Sequence, residues 1–333
     1  MKKAFIKSIC LISAVIIASL TLFSCNSNQN AENETTFSNV HTVKFNSNGG
    51  TVIPDIEVRN GQKISEPTPP TRENYIFLRW EKETRPWVFG AMTVTEDFTL
   101  NAIWISASEL FNTVSTDNPD EVLISSFKVQ KEIYNLVIPE KINGKTVVGL
   151  TDEAFKDIHD GHADYLTIPA TVRSVGASAL QNISKVNLTF LGSVNSLGVS
   201  SFEYCSTFKT IKLSEGLTYI PYRCFFAALS LVTIDIPEGV TRIEENAFSS
   251  CTAMQTIVLP STLETIEDSA FIDSSNLVVL FYKGTEEQFD KIEISAGNNE
   301  LLSAKLYFYS EAQPTESGDF WHYDKNGAPI LWE

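Results

Sequence analysis

Ile234-Asp235-Ile236-Pro237-Glu238-Gly239-Val240-Thr241-Arg242-Ile243-Glu244-Glu245-Asn246-Ala247-Phe248-Ser249-Ser250-Cys251 is the stretch that decides the fold. Ile234 and Ile236 flank a polar residue, the alternation of a half-buried strand. Pro237 closes that strand and Gly239 lets the chain turn. Val240 and Ile243 give a second apolar pair, and Ala247-Phe248 a third signal. The same strand signal begins at Leu166, Leu188, Ile211, Ile234 and Ile257, at spacings of 22, 23, 23 and 23 residues. In phase with it run Val172/Val175, Val194/Leu197, Leu217/Ile220, Val240/Ile243 and Leu263/Ile266. A small residue followed by Phe or Leu recurs at Ala154-Phe155, Ala179-Leu180, Ser201-Phe202, Cys224-Phe225, Ala247-Phe248 and Ala270-Phe271.

Three signals locked to one period predict a β-rich repeat protein, a solenoid with short strands and compact corners. One turn cannot bury its apolar side chains alone; stacking turns at about 4.8 Å closes the core. The Phe series then forms an internal spine, and the small residue before each Phe makes room for the next turn. Cys205 and Cys251 occupy one repeat position two turns apart, so their Cα atoms are expected about 10 Å apart from two strand spacings. A disulfide needs less than about 7 Å. Cys224 takes the small-residue slot. The period therefore predicts three buried free thiols.

This pattern resembles the BspA-type cell-surface leucine-rich repeats, over residues 133–277. Ala179-Leu180 lacks the usual Phe, and Asn143-Gly144-Lys145 is an insertion in the first turn. The resemblance implies adhesion to a host extracellular protein, or to another bacterial surface or glycan.

The flanks read differently. Lys2, Lys3 and Lys7 precede an apolar run from Ile9 to Phe23, too short to span a bilayer. Leu22-Phe23-Ser24-Cys25 resembles the bacterial lipoprotein lipobox, which implies that Cys25 carries the lipid. Residues 1–25 are thus expected to be a lipoprotein signal peptide, with membrane attachment through the lipid alone. The envelope, its outer membrane or the cell surface, is the expected location. Residues 26–40 read as a flexible tether.

Residues 41–104 form a small β module. Asn48-Gly49-Gly50 supplies a tight turn, and Tyr75, Phe77, Trp80 and Trp87 an aromatic core. Phe45-Asn46-Ser47-Asn48-Gly49-Gly50, Pro70-Thr71-Arg72-Glu73-Asn74-Tyr75 and Phe98-Thr99-Leu100-Asn101-Ala102-Ile103-Trp104 resemble the Listeria–Bacteroides repeat, or internalin B-repeat type. That family implies a β-grasp-like sheet serving as spacer or partner-binding module. Asn74 and Arg79 stand where it usually has Gly, and Asn101 where it usually has Tyr.

Residues 105–132 read as a linker and the start of an N-terminal cap. Residues 278–333 form a closing segment. In it Thr285 starts a short helix, Leu306-Tyr307-Phe308-Tyr309 is a strand, and Asn326-Gly327 turns a hairpin.

A net charge of −16, and −19 once the three signal-peptide lysines are gone, disfavours nucleic acid. No Gly-rich phosphate loop follows a strand, and no Gly-x-Ser-x-Gly elbow is present. Asp157, His159, Asp160, His162 and Asp164 share one loop, but without a recognised zinc spacing they read as a solvated surface. No metal, cofactor or catalytic residue is assigned, and the chain is expected to be non-catalytic. A secreted hydrolase, a metal-binding accessory protein and a structural surface component are the alternatives.

The solenoid surface is the stronger functional candidate. Alternation points Thr167, Thr189, Lys212, Asp235 and Val258 outward from the first strands, and Ser174, Ser196, Tyr219, Arg242 and Thr265 outward from the second. Lys212, Tyr219, Asp235 and Arg242 are the candidate partner-binding residues, Tyr and Arg being favoured interface anchors.

Overall fold

Alternation and turn chemistry build the first module from five strands. The computed structural model describes residues 39–128, 133–159, 163–315 and 318–332, so Cys25 and most of the tether lie outside the described residues. Ile56–Arg59, Val40–Asn46, Phe98–Ser106, Tyr75–Lys82 and Arg85–Pro86 lie side by side in that order. Asn48 and Gly49 take positive φ, and the Gly50 N–H donates to the Ser47 carbonyl at 2.9 Å. Asn74 has φ of 64°, so it supplies the left-handed conformation for which the related repeats use Gly. Val43, Phe77, Trp80 and Leu100 form the core of one face, with Phe45 edge-on to Trp80 at 4.9 Å. Tyr75 is not part of it. It begins its strand beyond the packed layer and lies exposed, with the Arg72 guanidinium 3.8 Å from its ring centroid.

The opposite face of this sheet is also apolar. Ile76 is buried in the solenoid's core cluster, with Leu78 and Ile105 packed against it. Asn74 fixes the junction twice: its carbonyl accepts from the Ala107 N–H at 2.8 Å, and its Oδ1 from the Asn143 N–H at 2.7 Å. The module thus caps the solenoid rather than standing off from it.

Within the expected linker and start of the cap, residues 105–128 hold regular structure. The helix Ala107–Leu110 leads into the antiparallel strands Phe111–Ser115 and Glu121–Phe127. Glu121–Phe127 in turn pairs in parallel with Lys145–Leu150. Phe111, Phe127 and Phe155 cluster there, both Phe111–Phe127 and Phe127–Phe155 having centroids 5.7 Å apart.

The solenoid stacks as its period requires. Ile133–Val137, Ala163–Ile168 and Asn187–Phe190 are parallel neighbours, as are Thr233–Asp235, Thr256–Leu259, Val279–Tyr282 and Lys305–Tyr309. Phe202, Phe225, Phe248 and Phe271 stack face to face at 5.3, 5.2 and 5.2 Å. Ser201, Cys224, Ala247 and Ala270, just before them, are all fully buried.

The corners show a device that composition does not reveal. Each core residue of the Phe series sits between two left-handed residues, such as Arg223 and Ala227 around Phe225, or Asn246 and Ser250 around Phe248. None of these flanking residues is Gly, and the left-handed conformation costs such residues about 1–2 kcal/mol each. In return the N–H groups of Arg223, Phe225 and Ala227 all point at the next turn. They donate to the carbonyls of Glu245, Ala247 and Ser249 at 3.2, 2.8 and 2.8 Å.

The structure differs from the sequence reading in three further places. First, the ladder does not stop at Leu277. Val279–Tyr282 and Lys305–Tyr309 continue the first strands and Glu293–Ile294 the second. The helices Glu286–Phe289 and Asn299–Ser303 lengthen these turns and hide the period. Thr285 does cap the first helix, its Oγ1 accepting from the Gln288 N–H.

Second, Lys212 does not pair with Thr189. Leu191-Gly192 stands where Pro169 and Pro237 end neighbouring first strands. The chain is extended again at Ser193–Val194, which takes Lys212–Leu213 as its neighbour.

Third, Val258 faces outward but is only 1% exposed, packed with Phe281 and Trp321. The final hairpin, Phe320–Tyr323 with Pro329–Leu331, curls back over the outer face of the first strands. Trp321 Nε1 donates to the Tyr282 carbonyl at 3.0 Å, and the Tyr323 hydroxyl to Asp235 Oδ2 at 2.6 Å.

Cys205, Cys224 and Cys251 are buried free thiols. Cys251 Sγ donates to the Phe225 carbonyl at 3.0 Å, as Ser274 Oγ, one turn on, donates to the Phe248 carbonyl at 2.7 Å. Burial pushes the Cys224 and Cys251 thiols up to about 12, and Cys205 upward as well, so thiolate is scarce near neutral pH.

Two outcomes follow from this packing. Phe248→Ala opens a hole in the middle of the stack and should cost about 3–5 kcal/mol in guanidinium unfolding; a loss well under 1 kcal/mol would contradict a continuous spine. The Tyr323 phenol is held above its ordinary value by burial, then by its hydrogen bond to Asp235. Its contribution is therefore complete below about pH 10, where the unfolded phenol titrates, and is lost as pH rises beyond that. Tyr323→Phe should lower stability by about 1–2 kcal/mol at neutral pH and flatten the alkaline decline of the unfolding midpoint. An unchanged slope would contradict the Tyr323–Asp235 contact.

Candidate partner-binding surface

Two faces of the solenoid carry outward side chains, and the structure treats them unequally. On the first-strand face the closing hairpin occupies one end. Asp235 is engaged there by Lys283 Nζ at 2.8 Å as well as by Tyr323, so its carboxylate serves internal structure. Lys212 is exposed beside Ser193 and has no acidic partner among the described residues. Thr167 and Thr189 remain at the surface towards the other end.

The second-strand face stays open. Tyr219 and Arg242 are register partners on neighbouring strands, as the period predicts. The Arg242 guanidinium lies 5.4 Å from the Tyr219 ring centroid, within cation–π range. Arg242 Nη2 donates to Glu244 Oε1 at 2.7 Å, and its Nε lies 3.6 Å from Glu267 Oε1. Exposed pairs of this kind add little stability, about 0–1 kcal/mol. Their effect is to hold the guanidinium in one place, which lowers the entropy lost when a partner binds. Tyr219 is 40% exposed and forms one wall of a shallow depression of about 530 Å³.

The floor of that depression escapes a residue-by-residue reading. It is built from Ser174, Gly176, Ser196 and Gly198, on the turns before Tyr219. Neighbouring turns come so close here that a Cβ on Gly198 would lie 2.3 Å from the Ala177 nitrogen. Aligning the turns would have exposed the feature: Gly176 and Gly198 fall where later turns carry Pro221, Glu244 and Glu267.

The loop with Asp157 and His159 is only partly described, Asp160 and His162 lying outside the described residues. Asp157 accepts from Asn182 Nδ2 at 2.7 Å, a contact between turns. Among the described residues no group of three His, Cys, Asp or Glu is placed to hold a metal ion, and no helix is long and apolar enough to cross a membrane.

Comparison with known proteins bears on both modules. The family model for the BspA type leucine rich repeat region matches in six copies, over residues 120–252 and 173–296. The Listeria-Bacteroides repeat domain matches residues 41–103. A provisionally named membrane protein of Evansella cellulosilytica is 44% identical over 69 residues, 20% of this chain and 10% of its own length. This chain therefore spans about a tenth of the curated relatives it matches. Among solved structures, a leucine-rich repeat protein of T. pallidum is 23% identical with a TM-score of 0.36, covering 57% of this chain and 80% of its own. A leucine-rich cell surface protein of Faecalibacterium prausnitzii is 21% identical with a TM-score of 0.40, covering 67% and 59%. With its repeats matched from residue 120 to 296, the chain belongs to the BspA-type leucine-rich repeat family.

Proposed function

We propose that this chain is an exported lipoprotein, anchored at Cys25, that binds a host extracellular protein, another bacterial surface or a glycan without catalysing a reaction. The observation that carries the reading is the Tyr219–Arg242 pair. It presents an aromatic ring and an immobilised guanidinium beside a depression of small residues. Such residues dominate interface energetics, because they bury much area for little lost freedom. Family membership supports a protein-interaction role of this coarse kind. Lys212 is a further exposed candidate, on the first-strand face; Asp235 is less suited, since its carboxylate is already paired within the chain.

Two experiments test the reading. Cys25→Ser should release the exported chain from the membrane fraction, read by immunoblot of fractionated cells; retention in that fraction sinks the lipid anchor. Surface plasmon resonance of the exported chain against a panel of host matrix proteins and bacterial surface glycans should give saturable binding. Tyr219→Ala and Arg242→Ala should each weaken it about tenfold or more. Binding that survives both substitutions would remove this face from the interaction. Silence across the panel at micromolar concentration would favour a structural surface component.

A further inference from the structure

A second concave surface lies where the β module overhangs the solenoid. It is a cleft of about 600 Å³, within the size range of ligand pockets. Pro69, Arg72 and Tyr75 form the module wall, and Asn135, Val137 and Leu191 the solenoid wall. Neither wall makes a cleft alone. It exists because Ile76 and Asn74 dock the module on the first turn.

The chemistry of this cleft is specific. The chain is strongly acidic, yet the contacts of the Arg72 guanidinium among the described residues are with aromatic rings, not with a carboxylate. Arg72 is half-buried, with its guanidinium 3.8 Å from the Tyr75 ring centroid and 5.9 Å from that of Trp104. Stacking of this kind fixes the plane of the guanidinium and leaves its edge N–H donors for a carboxylate. Lys141 lies in the same lining; Glu73 and Glu140 are exposed members of it. Opposite stand Val137 and Leu191, the latter 61% exposed, apolar side chains that the solenoid core does not use. An unpaired stacked guanidinium lining the same cleft as exposed aliphatic groups matches a ligand with an anionic group beside an apolar one.

We propose that this cleft binds an extended acidic peptide segment, in which Asp or Glu pairs with Arg72 and a neighbouring aliphatic or proline side chain packs on Val137 and Leu191. A peptide fits better than a sugar because Arg72 already covers a face of Tyr75 that would stack on a pyranose ring. The site is separate from the Tyr219–Arg242 face and does not depend on that face binding anything.

A random-peptide phage display library panned against the full chain tests this. Enriched peptides should carry an acidic residue next to an aliphatic residue or proline. In fluorescence anisotropy with such a labelled peptide, Arg72→Ala should weaken binding about tenfold or more, the loss expected for a charge-assisted hydrogen bond. Leu191→Asp, a surface substitution on the other wall, should weaken it similarly by repelling the acid. Glu73→Gln should strengthen it, and Tyr219→Ala should leave it unchanged. Circular dichroism melts establish that each variant is folded, so Leu191→Asp carries the test if Arg72→Ala unfolds the module. No enrichment, or enriched peptides indifferent to Arg72→Ala and Leu191→Asp, overturns the proposal. Arg72-dependent binding of polygalacturonate, with no peptide enriched, overturns it in favour of an acidic glycan.

Discussion

Every turn of this solenoid leaves its corner N–H groups for the next turn to satisfy. Arg223, Phe225 and Ala227 donate to Glu245, Ala247 and Ser249, and the phenylalanine rings follow the same step at 5.2–5.3 Å. Buried backbone donors cannot be left unpaired without large cost. One constraint therefore sets the rest. The residue before each Phe must be small, the residues flanking it must accept left-handed backbone, and both ends of the stack must be closed by something else.

The two ends are closed in different ways, and that determines which surface is left. At the start, a sheet with two apolar faces keeps one for its own core and gives Ile76 to the solenoid. At the finish, the sheet rolls over itself until Tyr323 reaches Asp235 and Trp321 seals Val258. Each closure uses part of the first-strand face. The second-strand face, with Tyr219 and Arg242, is left open, and the overhang at the start creates the cleft at Arg72.

The period was legible because it is written in apolar residues, whose burial every turn needs. The core positions from Phe155 to Phe271 and the three free thiols follow from spacing alone. The left-handed corners were not legible, since Arg223, Tyr204, Ala227 and Ser250 carry no composition signal for positive φ. The last turns were hidden by inserted helices. Val258 reads as outward, and is, but the ring that covers it comes from Trp321, far along the chain. The Tyr219–Arg242 neighbourhood could be read from register. The Arg72 cleft could not, because its walls are contributed by separate modules.

The interrupted ladder at Lys212 has a mechanical consequence. Hydrogen bonds between turns run along the solenoid axis, so tension between the two ends loads the turn interfaces in series. Thr256–Leu259 and Val279–Tyr282 meet through four register pairs, whereas Ser193–Val194 and Lys212–Leu213 meet through two. Between Asn187–Phe190 and Thr233–Asp235 the first-strand ladder is at its thinnest within the repeats, and the corner bonds from Ser200, Phe202 and Tyr204 to the carbonyls of Tyr222, Cys224 and Phe226 carry much of that joint.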